Sequence, residues 1–129
     1  MARPATPSLL ADLESRLGPR GFTRDAEAMA PWLSDWRGRY RGRAAALLSP
    51  SSADEVQAIV AACARDGVAL VPQGGNTSMV GGATPDEGGE ALLLALRRMN
   101  RVRSVSAEDN VALVEAGVIL ADLHDSAEA

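Results

Sequence analysis

The sequence contains no lysine, so arginine carries all of its formal positive charge. This absence excludes a nucleotide-binding loop of the Walker A type, which needs a lysine on the phosphates. Aromatic residues make up only 3% of the chain and apolar residues 47%, so alanine, valine and leucine must fill the core. The net charge of −4 argues against general nucleic-acid binding, which normally requires a basic surface.

Cysteine and long apolar runs are also scarce. The single cysteine, Cys63, allows neither an internal disulfide nor a cysteine-rich metal site, and its apolar neighbours predict an inert core thiol. No apolar run reaches the roughly 20 residues that a membrane-spanning helix needs. Residues 1–14 lack the apolar stretch of a secretion signal and include acidic side chains, so we expect a cytoplasmic protein without a membrane span.

Periodicity and chain-breaking residues predict alternating helices and strands in a chain of 129 residues. The strongest helix signal covers 53–66, where Ser52 is a cap, Glu55 completes a capping box and Gly67 provides a left-handed end. Its expected buried face comprises Val56, Ile59, Val60 and Cys63. The other expected elements are helices over 8–17, 23–36 (interrupted by Pro31) and 120–129, and strands over 44–49, 68–71, 91–95, 102–106 and 110–118.

The most informative stretch is the loop that follows the apolar run 68–71. It reads Pro72-Gln73-Gly74-Gly75-Asn76-Thr77-Ser78-Met79-Val80-Gly81-Gly82. A strand that opens into such a loop can turn successive main-chain N–H groups inward, forming a concave site for an anion. Glycine suits this loop because it adopts positive φ and lets a ligand approach a backbone without a Cβ. The G-x-G-x-x-G dinucleotide fingerprint is absent. The loop therefore predicts a phosphate site that is neither of the Walker A type nor of the G-x-G-x-x-G type.

Five segments of the chain, in this order, carry a family resemblance. They are Asp35-Trp36-Arg37-Gly38, residues 48–56, the glycine loop 72–82, Arg98-Met99-Asn100-Arg101-Val102 and Val114-Glu115-Ala116-Gly117-Val118. The chain resembles the N-terminal part of FAD-linked oxidoreductases with a PCMH-type (vanillyl-alcohol-oxidase-like) FAD-binding domain. Within that family it is similar to the branch of D-2-hydroxyglutarate, D-lactate and glycolate dehydrogenases.

The resemblance implies an α+β fold, the first half of a PCMH-type FAD-binding domain with a small mixed sheet flanked by helices. A helical segment that ends in an Arg/Gly connector (35–43) would occupy residues 1–43. It would precede the partial FAD-binding domain (44–129). In the family the glycine loop binds the FAD pyrophosphate, chiefly through main-chain N–H groups. The implied cofactor-binding residues are Pro72 at the strand end, then Gln73, Gly74, Gly75, Asn76, Thr77 and Ser78 around the diphosphate, and Gly81 and Gly82 where the chain passes near the cofactor.

The resemblance also implies the activity of the complete enzyme. It would oxidise a small D-2-hydroxy acid by hydride transfer from the α-carbon to flavin N5, with an electron acceptor that the sequence does not identify. Contacts to the flavin ring, substrate, metal and catalytic base belong to parts of the family that have no counterpart here. We therefore expect a fragment with little activity by itself, and we assign no catalytic residue and no metal ligand.

Two other classes of function stay open at this point. The chain is also compatible with a nucleotide- or phosphate-binding subunit that a partner chain completes. Alternatively, Arg37, Arg39, Arg41 and Arg43 around Tyr40 resemble an RG-rich segment that binds RNA. The interpretation that we favour for this segment is an ordered connector whose arginines pair with the acidic excess, which predicts no nucleic-acid partner.

Overall fold

The computed structural model describes residues 2–129, which form two β-sheets and four α-helices. The elements in chain order are α1 (Pro7–Gly21), β1 (Phe22–Thr23), α2 (Ala26–Met29) with a 3₁₀ turn (Ala30–Trp32), β2 (Ala46–Leu48), α3 (Ala53–Asp66), β3 (Leu70–Gln73), β4 (Leu92–Ala95), β5 (Val102–Ser106), β6 (Val111–Val114) and α4 (Leu120–Glu128). The prediction of a small mixed sheet flanked by helices is confirmed.

The main sheet has the strand order β1-β2-β4-β3. Strand β1 is antiparallel to β2, whereas β2, β4 and β3 run parallel. In the register of β3 with β4, Gln73 lies opposite Ala95, and the N–H of Leu96 donates to the carbonyl of Gln73 at 3.0 Å. The glycine loop and the segment after β4 therefore leave the sheet side by side. Strand β3 is at the sheet edge, where Pro72 can be accommodated.

Aliphatic side chains fill the core on both faces of this sheet, as the composition predicts. Successive residues of β4 point to opposite faces, so Leu92 and Leu94 pack against α1 and α3, while Leu93 and Ala95 face Met29. Leu9 and Leu13 of α1 and Ile59 of α3 are the main helical contributions to the first cluster. The only large polar side chain buried inside the main sheet's strands is Gln73.

Helix α3 has the ends that the sequence predicts. Ser52 Oγ accepts from the N–H of Glu55 at 3.2 Å, the Glu55 carboxylate accepts from the N–H of Ser51 at 2.6 Å, and Gly67 has φ 70°. One expected core residue is wrong, because Val60 is 47% exposed and Ala62 is buried instead. Helical geometry explains this difference: Ala62 follows Ile59 by three residues and shares its face, whereas Val60 is one residue further round.

The N-terminal region differs most from expectation. Gly18, with φ 67° and ψ −176°, interrupts α1, so the first helical run ends before it, as expected, and a short second helical segment follows to Gly21. The helical stretch expected over 23–36 is a short strand, a one-turn helix and a 3₁₀ turn. The helix begins only after Asp25, whose carboxylate accepts from the N–H of Ala28 at 2.8 Å. Helix α1 packs on the main sheet and β1 is one of its strands. The division of the chain at residue 43 stays a prediction.

Strands β3 and β6 also differ from their expected limits. Strand β3 covers 70–73 in place of 68–71, because Val68 forms an isolated bridge with Arg3. Strand β6 ends at Val114, and the expected continuation to 118 is a turn in which the N–H of Val118 donates to the carbonyl of Glu115 at 3.1 Å. Within residues 2–129, no helix is long and apolar enough to cross a bilayer.

Glu115 anchors the two strands of the β5–β6 hairpin to each other at the open end of the hairpin. Its buried carboxylate accepts from Arg101 Nη2 at 2.9 Å, from the Arg101 N–H at 3.0 Å and from Arg103 Nη2 at 3.2 Å. The hydrogen bonds from Arg101, aided by Arg103, lower the pKa of Glu115 to about 2. Two residues later, Gly117 lies so close to the end of β4 that an added Cβ would be 1.9 Å from the Leu96 carbonyl oxygen. These contacts bring residues 116–120 beside the glycine loop.

Replacing Glu115 by glutamine tests this anchor through pH. The pKa of the carboxyl is about 2 in the folded chain and 4.5 ordinarily, so its stabilisation is complete above about pH 4.5 and is lost as pH falls towards 2. We expect Glu115→Gln to lower the melting temperature by several degrees near neutral pH. The difference from the natural chain should shrink as pH falls through that window. Thermal unfolding followed by circular dichroism measures it, with the exposed Glu108→Gln as control. A difference that is independent of pH would contradict the charge-based anchor.

Candidate phosphate-binding site

The loop after β3 presents a row of free main-chain donors. Within the described chain, the N–H groups of residues 74–81 donate no hydrogen bond to another protein group. By contrast, the N–H of Gly82 donates to Ser78 Oγ at 3.2 Å. Asn76 has φ 57° and bends the chain, so the loop is not extended. The free donors and the bend are the features that an anion-binding loop requires.

A buried amide fixes both ends of the loop. Gln73 is 1% exposed, and its Nε2 donates to the carbonyl of Trp32 at 2.9 Å and to the carbonyl of Ala83 at 2.9 Å. Both amide protons are thereby used, and Oε1 is a buried acceptor without a protein partner. The side chain of Gln73 thus ties the start of the loop to its end and to the N-terminal segment.

Further bonds connect the middle of the loop to the Arg/Gly connector. Asn76 Nδ2 donates to the carbonyl of Ser34 at 2.7 Å, and Arg37 Nη2 donates to the carbonyl of Met79. Gly81, at φ 75°, packs against the ring of Tyr40, whose Cδ2 would be 2.8 Å from an added Cβ. The loop is therefore supported by contacts with residues about 40 positions earlier in the chain.

The connector is ordered, as expected, but the expected pairing of its arginines with carboxylates is wrong. Arg37 and Arg43 donate to main-chain carbonyls, those of Met79 and Glu87, and none of the ion pairs within residues 2–129 involves the connector. Asp35, buried at the start of the connector, accepts from the N–H of Tyr40 at 2.8 Å, and this bond lowers the pKa of its carboxyl. These contacts make the segment part of the folded domain, in contrast to a free RG-rich tail.

Two cavities flank the loop. The larger one, of about 420 Å³, lies between the loop and residues 116–120 and is here named the main cleft. The smaller one, of about 280 Å³, lies on the other side of Gly75 against the two tryptophans, and is here named the tryptophan cavity. Gly75 and Arg97 line both cavities. If a Cβ were added to Gly75, the nearest protein atom outside its chain neighbours would be Thr77 Cγ2, at 4.0 Å. The space in front of Gly75 is therefore open.

The structure brings together five of the nine sequence-predicted site residues. Gly74, Gly75 and Thr77 line the main cleft, and Gln73, Gly75 and Asn76 line the tryptophan cavity. The remaining four line neither cavity. Pro72 is exposed in β3, and Gly81 packs on Tyr40. The other two are Ser78 and Gly82, which bond to each other, since Ser78 Oγ accepts from the N–H of Gly82.

The other reactive side chains lie away from this site. Cys63 is buried in the core, where desolvation raises the pKa of its thiol, as expected for an inert cysteine. His124 is exposed on α4. No group of histidine, cysteine and acidic residues within 2–129 is arranged to hold a metal ion. The chemistry of the site is therefore that of main-chain amides, side-chain amides and one arginine.

Sequence reasoning missed two contributors to the site, Arg97 and Trp32. The guanidinium of Arg97 lies over the ring of Trp32, 5.0 Å from its centroid. The signal that could have found Arg97 is its place directly after a buried apolar strand, since parallel strands end at one edge of a sheet. Trp32 carries no such signal, because its contact depends on how the N-terminal segment crosses the sheet.

Comparison with known proteins supports an assignment at the level of the family. A family described as FAD binding domain matches residues 44–129. D-2-hydroxyglutarate–pyruvate transhydrogenase DLD3 of Saccharomyces cerevisiae is 39% identical over 100 residues, covering 76% of this chain and 19% of the yeast protein. Mitochondrial D-2-hydroxyglutarate dehydrogenase of Bos taurus is 38% identical over 121 residues, covering 92% of this chain and 21% of the bovine protein. The chain thus spans about a fifth of the length of these relatives.

Solved structures with low sequence identity share the fold. An alkyldihydroxyacetonephosphate synthase superimposes with a TM-score of 0.83 at 20% identity, over 98% of this chain and 25% of the synthase chain. A p-cresol methylhydroxylase superimposes with a TM-score of 0.79 at 21% identity, over 94% of this chain and 24% of that chain. The similarity covers both the N-terminal helices and the glycine loop.

The expected cytoplasmic location is wrong. Relatives from rice, Arabidopsis thaliana and cattle are named as mitochondrial enzymes. The prediction relied on the lack of a targeting signature, and such signatures are separate from the fold and are removed in mature proteins. Their absence from a stretch of sequence therefore gives no information about the compartment.

The match over residues 44–129, the two relatives and the shared fold all agree with the resemblance noted in the sequence, and an FAD cofactor is confirmed at the level of the family. The chain belongs to the FAD-binding domain family of the PCMH-type flavoenzymes.

Proposed function

We propose that this chain holds the diphosphate of FAD in a flavin-dependent enzyme that oxidises a D-2-hydroxy acid to the 2-oxo acid. The observation that carries the proposal is the row of free N–H groups at residues 74–81, next to the open space in front of Gly75. A dianionic diphosphate accepts hydrogen bonds and brings no donors, so it complements such a row. When bound, FAD supplies the hydride acceptor for the oxidation.

The residues proposed to hold the cofactor have different roles. Gly74, Gly75, Asn76, Thr77 and Ser78 offer main-chain donors to the diphosphate. Gln73 acts as a positioning residue, because its amide protons are already used to hold Trp32 and Ala83. Pro72, Gly81 and Gly82 shape the two ends of the loop.

The substrate class is supported by the relatives' names. Those of yeast, plants and cattle refer to D-2-hydroxyglutarate, and a relative from Bacillus subtilis, 31% identical over 106 residues, is a glycolate oxidase subunit. Both compounds carry a hydroxyl group next to a carboxylate. We therefore propose a small 2-hydroxy acid as the substrate of the complete protein.

The open space at Gly75 gives the first test. Gly75→Ala should fold with an unchanged melting temperature, because the added methyl meets no protein atom closer than 4.0 Å. The methyl would occupy the space proposed for the diphosphate and weaken FAD binding by about tenfold or more. Flavin fluorescence titration measures the Kd. The control is Gly88→Ala in the following loop, whose methyl would meet only the exposed Asp86 side chain, 3.0 Å from Oδ1, and which should bind FAD like the natural chain. Undiminished binding by Gly75→Ala would argue against this position for the diphosphate.

The positioning role of Gln73 gives the second test. Gln73→Ala removes the donor from two main-chain carbonyls, which should lower the free energy of unfolding by about 1–3 kcal/mol. It should also weaken FAD binding, because both ends of the loop are released. Gln57→Ala, an exposed change of the same type on α3, should leave both quantities unaltered. Urea unfolding and the same fluorescence titration measure them, and a fully stable Gln73→Ala variant would contradict the role.

The third test concerns activity. We assign no catalytic or substrate-binding residue to the chain, so the 129-residue chain loaded with FAD should not turn over D-lactate or D-2-hydroxyglutarate. Reduction of a dye acceptor in the presence of either compound measures turnover. Detectable turnover by the chain alone would show that it contains catalytic groups that we have not identified.

A further inference from the structure

Arg97 occupies a special place beside the glycine loop. It comes two residues after the carboxyl end of β4, beside the carboxyl end of β3, from which the glycine loop departs. Together with Gly75 it lines both the main cleft and the tryptophan cavity. Gly75 and Arg97 are thus the residues that the two cavities share.

The charge of Arg97 is available. Within residues 2–129 its guanidinium takes part in no ion pair and no side-chain hydrogen bond, and its one close partner is the ring face of Trp32. Two other arginines close to this end of the sheet are engaged, since Arg37 donates to the carbonyl of Met79 and Arg98 Nη1 to the carbonyl of Ser49 at 2.7 Å.

The contact with the Trp32 ring holds the Arg97 guanidinium without using its hydrogen-bond donors. A guanidinium over an indole ring is attracted by the ring and keeps its edge donors free. The main chain of Trp32 is itself held, because its carbonyl accepts from the buried Gln73 amide. The same amide therefore holds both the loop and the main chain of the residue whose ring contacts Arg97.

We propose that Arg97 is the cationic partner of the cofactor diphosphate, on the side opposite the main-chain N–H groups of the glycine loop. This inference rests on the proposed function, and it adds a specificity residue outside the loop. The amides supply hydrogen bonds without net charge, in a chain whose net charge is −4. Arg97 supplies the positive charge together with planar donors that suit phosphate oxygens. In a protein without lysine, arginine takes the role that a lysine has in other phosphate loops.

The test compares ligands with and without the diphosphate. Arg97→Gln should weaken the binding of FAD and of ADP by about 10–100-fold, the range for losing hydrogen bonds to a charged group. It should leave the weaker binding of adenosine, which has no phosphate and is followed by calorimetry, unchanged. Arg97→Lys should recover part of the loss for FAD. The salt dependence of FAD binding should be steeper for the natural chain than for Arg97→Gln. Fluorescence titration measures flavin binding, and calorimetry measures ADP binding.

The controls separate this role from folding and from the proposed function. Arg65→Gln removes an exposed arginine on α3 and should leave every Kd unchanged. Trp32→Leu should weaken FAD binding less than Arg97→Gln, and the double variant should be no weaker than Arg97→Gln alone. Equal losses for adenosine and ADP, or no loss for FAD, would overturn the role of Arg97. If the natural chain binds neither FAD nor ADP, the proposed function fails first.

Discussion

The parallel pairing of β3 with β4 is the constraint from which the candidate site follows. Because Gln73 lies opposite Ala95, the glycine loop and Arg97 emerge together at one edge of the sheet. An antiparallel pairing would send them to opposite edges, about a strand length apart. The open space in front of Gly75 and the two flanking cavities are consequences of this register. The site is thus a property of the sheet as much as of the loop.

A loop without regular secondary structure needs support from elsewhere, and here side-chain to main-chain hydrogen bonds provide it. Gln73, Asn76 and Arg37 each bond to a carbonyl that is distant in sequence or at the far end of the loop. Three of the four aromatic residues of the chain, Trp32, Trp36 and Tyr40, lie in the segment that backs the loop. A protein with almost no aromatic residues thus concentrates them where rigidity is required.

The hairpin contributes the opposite wall of the main cleft. Gly117 joins it to the end of β4 through an approach that tolerates no side chain, and Glu115 holds its two strands together through charged hydrogen bonds from Arg101 and Arg103. The two sides of the cleft are therefore attached to neighbouring strands, the loop to β3 and the hairpin to the end of β4. A change in the pairing of β3 and β4 would separate the loop from Arg97 and the hairpin.

Local signals in the sequence were sufficient for much of the fold. Capping by Ser52 and Glu55, the left-handed Gly67 and the apolar strands were predicted, because each depends on residues within a few positions of one another. The glycine loop was also predicted, since a strand followed by clustered glycines is a local pattern. The family resemblance predicted the FAD cofactor.

What the sequence could not determine are contacts between distant segments. The strand β1 and the bond from Arg37 to Met79 depend on how the whole chain packs. Arg97 belongs to this group, because only the register of two strands brings it to Gly75. By itself the sequence determined most of the helices and strands and the glycine loop after β3, because local sterics and capping decide those. The tertiary structure alone decided which side chains surround the loop, because that requires long-range pairing of strands.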